Sequence, residues 1–149
     1  MRKVNWFPYL FATVSFLIVP MANAVCEPTL GPITSTLVAA GCTSPVGICT
    51  TGTISAGPLT GTTFFSATSL EVRGQVLFFC GVFTVFTATG VASYDTCGTL
   101  NQTTGKFEET FTLTSGTGSF TDATSRLVST GSSTPTGFEG NFEGVVCSN

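Results

Sequence analysis

Acidic side chains and one tyrosine are the groups on which acid–base chemistry would depend in this chain. The sequence contains no histidine, which excludes Ser-His-Asp and Cys-His catalysis. Glu109 is the best candidate for an acid or base. The other residues on its face of an alternating strand pattern are large and apolar: Phe107, Phe111 and Leu113. Burial among them should raise the pKa of the Glu109 carboxyl, although we favour a structural carboxylate that is solvated or hydrogen-bonded to a threonine or a backbone amide.

Three further residues are weaker candidates for catalysis. Glu139 and Glu143 share one strand face with Asn141 between them, a spacing that two carboxylates of a glycosidase could use. We expect them instead to form the solvated face of an antiparallel strand. Tyr94 is the only tyrosine after residue 24. Because Gly116-Thr117-Gly118 is followed by neither a lysine nor a helical pattern, it is no phosphate loop, and no cofactor is expected.

Cysteines are the other reactive residues, and six of them follow residue 24: Cys26, Cys42, Cys49, Cys80, Cys97 and Cys147. An even number in a small exported chain predicts disulfides. Paired cysteines supply no thiolate nucleophile. The absence of histidine and of paired CxxC motifs also argues against a metal site.

Spacing suggests which cysteines pair. One pair flanks a compact Pro/Gly loop, and a second pair lies nearly symmetrically about the turn signal Thr89-Gly90. The remaining two would join the ends of the domain. The predicted disulfides are Cys42–Cys49, Cys80–Cys97 and Cys26–Cys147.

The first 24 residues have the pattern of a signal peptide. Arg2 and Lys3 precede an apolar run at 11–19, and Ala22-Asn23-Ala24 fits a cleavage site. The alternative, a membrane anchor, is disfavoured because the run is shorter than the roughly 20 residues that span a bilayer. We therefore expect a secreted or periplasmic protein, without membrane attachment after removal of the leader, and one domain at 25–149.

The charge of the mature chain excludes some partners. Three basic residues, Arg73, Lys106 and Arg126, remain against eight acidic ones, a net charge of −5. Nucleic acid is an unlikely partner, because phosphate binding needs clustered Lys or Arg. Anionic membrane surfaces are disfavoured for the same reason.

The rest of the chain predicts an all-β fold. Thr, Val and Phe are abundant, glycines punctuate the sequence, and no apolar set repeats at helical spacing. The segment 33–40 fits a strand or a short helix. The clearest strands are 50–56, 62–73, 75–88, 90–95, 106–114, 125–129 and 138–147. The segment 131–137 is predicted to be a flexible turn, too short to link two domains.

A run of turn motifs between Tyr94 and Cys147 carries a family resemblance. The chain reads Asp95-Thr96-Cys97-Gly98-Thr99-Leu100-Asn101, then Gly105-Lys106-Phe107, then Ser115-Gly116-Thr117-Gly118-Ser119-Phe120-Thr121-Asp122-Ala123-Thr124. This order resembles the bacterial type of the allene oxide cyclase and dirigent proteins, with their D-x-G-T-L-(D/N) turn, G-x-F and G-G-T-G-x-F-x-x-A-x-G motifs. Ser115 and Thr124 stand where glycine is usual. The resemblance covers about residues 52–147.

The resemblance implies one small antiparallel barrel of about eight strands. It also implies a mostly apolar cavity that shapes a reactive intermediate without covalent catalysis. No catalytic residue of the family can be aligned onto this chain. We expect either a barrel that binds a small apolar ligand or acts as a non-catalytic module, or a cyclase or isomerase. A third alternative is a structural extracellular module whose barrel is filled by phenylalanines. An open cavity of roughly a few hundred Å³ with Glu109 at its wall would favour binding or catalysis, and a solid interior would favour the structural module.

One strand also predicts a protein partner. The segment 75–88 is apolar on both faces, with Phe79 and Phe83 on one and Phe78 and Phe86 on the other. Such a strand needs cover outside the barrel as well as inside. Either the N-terminal segment covers it or the protein forms a homo-oligomer, a dimer or a trimer.

Overall fold

The computed structural model describes residues 24–148 as a closed antiparallel barrel of eight strands. The strands are β1 (Val25–Val38), β2 (Cys49–Ile54), β3 (Gly61–Arg73), β4 (Val76–Thr87), β5 (Val91–Asn101), β6 (Lys106–Gly116), β7 (Thr124–Ser133) and β8 (Gly137–Ser148). Each strand pairs with the next, and β1 pairs with β8. The predicted all-β barrel is confirmed, and the segment 33–40 is strand up to Val38. The signal peptide predicted for residues 1–24 lies outside the described residues, apart from Ala24.

Two predicted turns are strand instead. The motif Asp95–Asn101 belongs to β5, because its residues pair with β4 on one side and with β6 on the other. The reversal comes at 102–105, where the Asn101 side chain accepts hydrogen bonds from the backbone N–H groups of Thr103 and Thr104. Gly105 completes it at φ 69°. The segment 131–137, predicted as a flexible turn, is strand as far as Ser133.

Aromatic rings fill the middle of the barrel. Phe83, Tyr94, Phe111 and Phe142 are buried side chains of β4, β5, β6 and β8. The ring centroids of Phe111 and Phe142 lie 4.6 Å apart, and those of Phe83 and Phe111 lie 5.2 Å apart. Each ring removes a large apolar surface from water, and the tilted contacts add to that stabilisation. This cluster is the core of the domain.

The two ends of the barrel differ. At one end, the 3-10 turns Gly57–Leu59 and Gly118–Phe120 connect β2 to β3 and β6 to β7. They place Leu59 and Phe120 beneath the aromatic core, where both are buried. We call this the closed end. The opposite, open end carries the loop 39–48 and three tight turns, with no such turn tucked inward.

Three disulfides cross-link the barrel, and they are the predicted ones: Cys26–Cys147, Cys42–Cys49 and Cys80–Cys97. The first joins β1 to β8, the pair that closes the barrel. Three disulfides indicate an oxidising, extracellular environment. No helix within residues 24–148 has the length and apolar character that crossing a membrane requires.

The outer face of β4 is apolar and exposed. Phe78, Val82 and Phe86 point outward with 37%, 38% and 48% of their surface exposed, and we call them the outer apolar stripe. The Arg73 guanidinium lies 5.0 Å from the ring centroid of Phe78 and also pairs with Glu71. No segment of residues 24–148 covers the stripe, so any cover must come from elsewhere.

Candidate functional site

A cavity opens inside the barrel at the open end, above the aromatic core. Its volume is about 90 Å³, counted as the space that the centre of a water molecule can occupy. That is smaller than the roughly 300–1,000 Å³ of typical ligand pockets, and the cavity continues into solvent at its mouth. The aromatic core fills the middle of the barrel, and a second, more open hollow of about 380 Å³ lies at the closed end against Phe120 and Val146.

Large apolar side chains surround the mouth of this cavity. We call them the apolar collar: Leu70, Leu77, Phe79, Leu100, Phe107 and Phe138. They are half-buried, because their strands end here and solvent reaches them.

Glycines on neighbouring strands make room for the rings of the collar. A Cβ atom on Gly98 would lie 2.7 Å from the Phe79 ring, and one on Gly131 would lie 2.7 Å from the Phe107 ring. The absence of a side chain at these two glycines therefore lets the Phe79 and Phe107 rings lie close to the barrel wall.

The cavity wall contains one ionisable side chain, that of Glu109. It lies one inward-facing position deeper than Phe107 on β6, directly opposite Ser129 of β7. The Thr96 hydroxyl of β5 donates a hydrogen bond to Glu109 Oε1 at 2.6 Å. We call Glu109 and Ser129 the polar floor of the cavity.

The surroundings of Glu109 change its ionisation. Burial raises the pKa of the carboxyl from 4.5 to about 7, and the hydrogen bond from Thr96 opposes part of that rise. The residue is half-buried: one side of it faces the cavity, and the protein atoms on the other sides remove most of the water around its carboxylate. The predicted rise in pKa and the predicted hydrogen bond to a threonine are both confirmed.

The loop 39–48 completes the wall on one side. The hydroxyl of Ser44 donates to the carbonyl oxygen of Ala67 at 2.6 Å and accepts the backbone N–H of Ile48 at 3.2 Å. These bonds hold Ile48 against the cavity, and the Cys42–Cys49 disulfide closes the loop. Sequence reasoning identified the disulfide but not the role of Ser44, for which the sequence carries no signal.

The other candidates lie away from the cavity. Glu139 and Glu143 are exposed on the outer face of β8, as expected for a solvated strand face. Tyr94 lies in the core beneath the cavity, where burial raises the pKa of its hydroxyl to about 12. The Ser125 hydroxyl opposes part of that rise in pKa. Neither the Tyr94 hydroxyl nor the Ser125 hydroxyl has a hydrogen-bond partner within residues 24–148. Tyr94 is therefore not a base at neutral pH.

Metal chemistry has no evident site in the described part of the chain. Nowhere in residues 24–148 do three His, Cys, Asp or Glu side chains come together as metal ligands would. Comparisons with models of protein families, with curated proteins and with solved structures found no match to this chain. The site must therefore be interpreted from its own geometry.

Proposed function

We propose that this protein binds a small, largely apolar molecule in the cavity at the open end of the barrel. The observation that carries the proposal is a pocket walled by aliphatic and aromatic side chains and containing one ionisable group. Ligand sites have this composition: apolar walls supply affinity, and a few polar groups fix orientation. The volume suits a ligand smaller than a typical drug molecule.

The export of the protein belongs to the same proposal. The pattern of residues 1–24 and the three disulfides both support secretion, to the periplasm or beyond the cell. The resemblance to the allene oxide cyclase and dirigent barrels supports an apolar ligand, because those families hold one in the same kind of fold. A ligand carrier outside the cell needs no cofactor, and none is proposed.

Catalysis of an isomerase or cyclase type is the second candidate, and Glu109 is the observation that favours it. A carboxyl with a pKa of about 7 is present in both protonation states near neutral pH, which suits general acid–base catalysis. Its position in the cavity wall would place it against a bound ligand. Binding comes first in either case, so failure to bind an apolar ligand would overturn both candidates.

Filling the cavity tests the proposal. Ser35 lines the cavity from β1, whereas its neighbour Thr34 is exposed on the outside of the same strand. We expect the neutral fluorescent dye N-phenyl-1-naphthylamine to bind the wild type, Ser35→Phe to weaken binding at least tenfold, and Thr34→Phe to leave it unchanged. Thermal melting checks that both variants fold. Absence of binding to the wild type would favour a structural barrel module instead.

A further inference from the structure

The ionisable group of the cavity lies deeper than the apolar collar. Glu109 is one inward-facing position below Phe107, and Ser129 pairs with it. The wall at the mouth is mostly apolar, with the hydroxyl of Ser35 beside Phe138 as an exception. A ligand that enters must pass the collar before it reaches the carboxyl. Its polar group and its apolar body therefore have separate places.

The polar floor has unused capacity for hydrogen bonds. An ionised carboxylate offers about four lone-pair sites, and the Thr96 hydroxyl occupies one of those on Glu109. Ser129 adds a hydroxyl that can accept or donate. A buried acceptor of this kind is best satisfied by a ligand that donates a hydrogen bond.

We propose, on the basis of the ligand-binding function above, that the cavity takes neutral amphiphiles head first. A hydroxyl or an amide N–H of the ligand hydrogen-bonds to Glu109 and Ser129, and the apolar body of the ligand packs within the collar. Medium-chain alcohols and simple phenols have this chemistry, and the open mouth of the cavity leaves room for the end of a chain to extend beyond the collar.

The same geometry discriminates against ligands with a carboxylate head. Two carboxylates at one site repel each other, and no Lys or Arg lines the cavity to neutralise them. The other titratable residues of inward register are Tyr94, two inward-facing positions deeper, and Glu27, at the closed end. The remaining charged residues on the strands face outward: Glu71, Arg73, Asp95, Lys106, Glu108, Arg126, Glu139 and Glu143. Among the groups of the protein, rejection of an anion should therefore depend on the ionisation of Glu109. The carboxyl of a fatty acid, with a pKa of about 4–5, also gains protons at low pH, and the comparison with Glu109→Gln separates that contribution.

Two probes of equal chain length test the inference: 1-octanol and octanoate. Their affinities are measured by isothermal titration calorimetry at pH 8.5 and pH 5.5 on the wild type, Glu109→Gln and Glu108→Gln. Glu108 is the outward-facing neighbour on β6 and serves as the matched control. At pH 8.5 we expect the wild type to bind 1-octanol at least tenfold more tightly than octanoate. At pH 5.5 that preference should shrink at least threefold.

The variants identify the responsible group. Glu109→Gln should reduce the preference for 1-octanol over octanoate at pH 8.5 to less than threefold and abolish the pH dependence of that preference. Glu108→Gln should keep the preference and its pH dependence. If Glu109→Gln does not fold, the pH dependence of the wild type and the affinity of Ser129→Ala for 1-octanol, expected to fall about threefold, decide the matter. Equal affinities for both probes, or a preference that persists in Glu109→Gln, would overturn the head-first arrangement while leaving ligand binding intact. Failure of 1-octanol and of the naphthylamine dye to bind the wild type would overturn ligand binding itself.

Discussion

The enclosed carboxyl of Glu109 should make the stability of this protein fall as pH rises from about 4.5 to about 7. In the unfolded chain the pKa of this carboxyl is 4.5, and in the folded chain it is about 7. Between these values the folded protein holds a proton that the unfolded chain has released. Unfolding then loses a proton, so stability decreases by about 1.4 kcal/mol per pH unit. Above pH 7 both states are ionised and the loss is complete.

The size of the effect follows from the same two pKa values. Their difference corresponds to about 3 kcal/mol. Because one side of Glu109 faces a cavity that water can enter, we take this figure as an upper limit and expect about 2 kcal/mol. Against a typical stability of roughly 5–15 kcal/mol, a loss of this size is readily measured.

Urea unfolding at half-unit steps from pH 4 to pH 9 measures the effect. Glu109→Gln removes the titrating group and retains an acceptor oxygen for the Thr96 hydroxyl, so its profile should be flat where that of the wild type falls. The variant should be the more stable protein at pH 8.5. Glu108→Gln, which changes an exposed carboxylate, should follow the wild type. Parallel profiles for the wild type and Glu109→Gln would show that the folded carboxylate is hydrated and that our account of its surroundings is wrong.

Three other changes test the expected self-association, the disulfides and the buried tyrosine. Phe78→Glu alters the outer apolar stripe, so the barrel should stay folded while light scattering shows an oligomer converted to a monomer. Phe79→Glu alters the apolar collar inside the barrel and should unfold the protein. A wild-type monomer at micromolar concentration would contradict self-association through the stripe. Replacing both cysteines of Cys26–Cys147 by serine should lower the free energy of unfolding by about 4–5 kcal/mol, against about 2 kcal/mol for Cys42–Cys49. The reason is loop length, because the first disulfide spans a sequence separation of 121 residues and the second one of 7. Equal losses in urea unfolding would contradict this chain-entropy argument. Tyr94→Phe removes a buried hydroxyl that makes no hydrogen bond within the described residues. The variant should therefore melt at the same temperature as the wild type. A fall in the free energy of unfolding of more than about 2 kcal/mol would show that the hydroxyl has a partner.

Alternation and spacing were sufficient to predict much of the fold. The period-two pattern placed Phe111 on the buried face of its strand, and the position of the cysteines about a turn predicted the Cys80–Cys97 link between β4 and β5. The prediction of a turn at 95–101 was wrong, because a glycine in a sequence can mark either a reversal of the chain or a place where another group packs against the backbone. Gly98 serves the second purpose, since the Phe79 ring packs against it.

The cavity could be predicted only in part. The raised pKa of Glu109 follows from its apolar neighbours on one strand, and that much was visible. Thr96 and Ser129 flank Glu109 on the adjacent strands, and such neighbours depend on strand register, which the sequence does not specify. The difference between the two ends depends on the 3-10 turns that place Leu59 and Phe120 inward at one end alone.

The position of Glu109 is difficult to explain by stability. Above pH 7 its ionised carboxylate costs the fold up to about 3 kcal/mol, and an amide would keep the Thr96 hydrogen bond without that cost. Local features that oppose stability are expected where a site serves a purpose other than folding. The destabilising carboxylate also lies at the open end of the barrel, where the side chains leave a cavity, whereas the aromatic core below contains no carboxylate. A purely structural barrel would gain from a glutamine at this position and from a larger side chain at Ser129. The coincidence of an open cavity with its one ionisable wall residue is therefore the strongest physical argument that the upper half of this barrel binds a ligand.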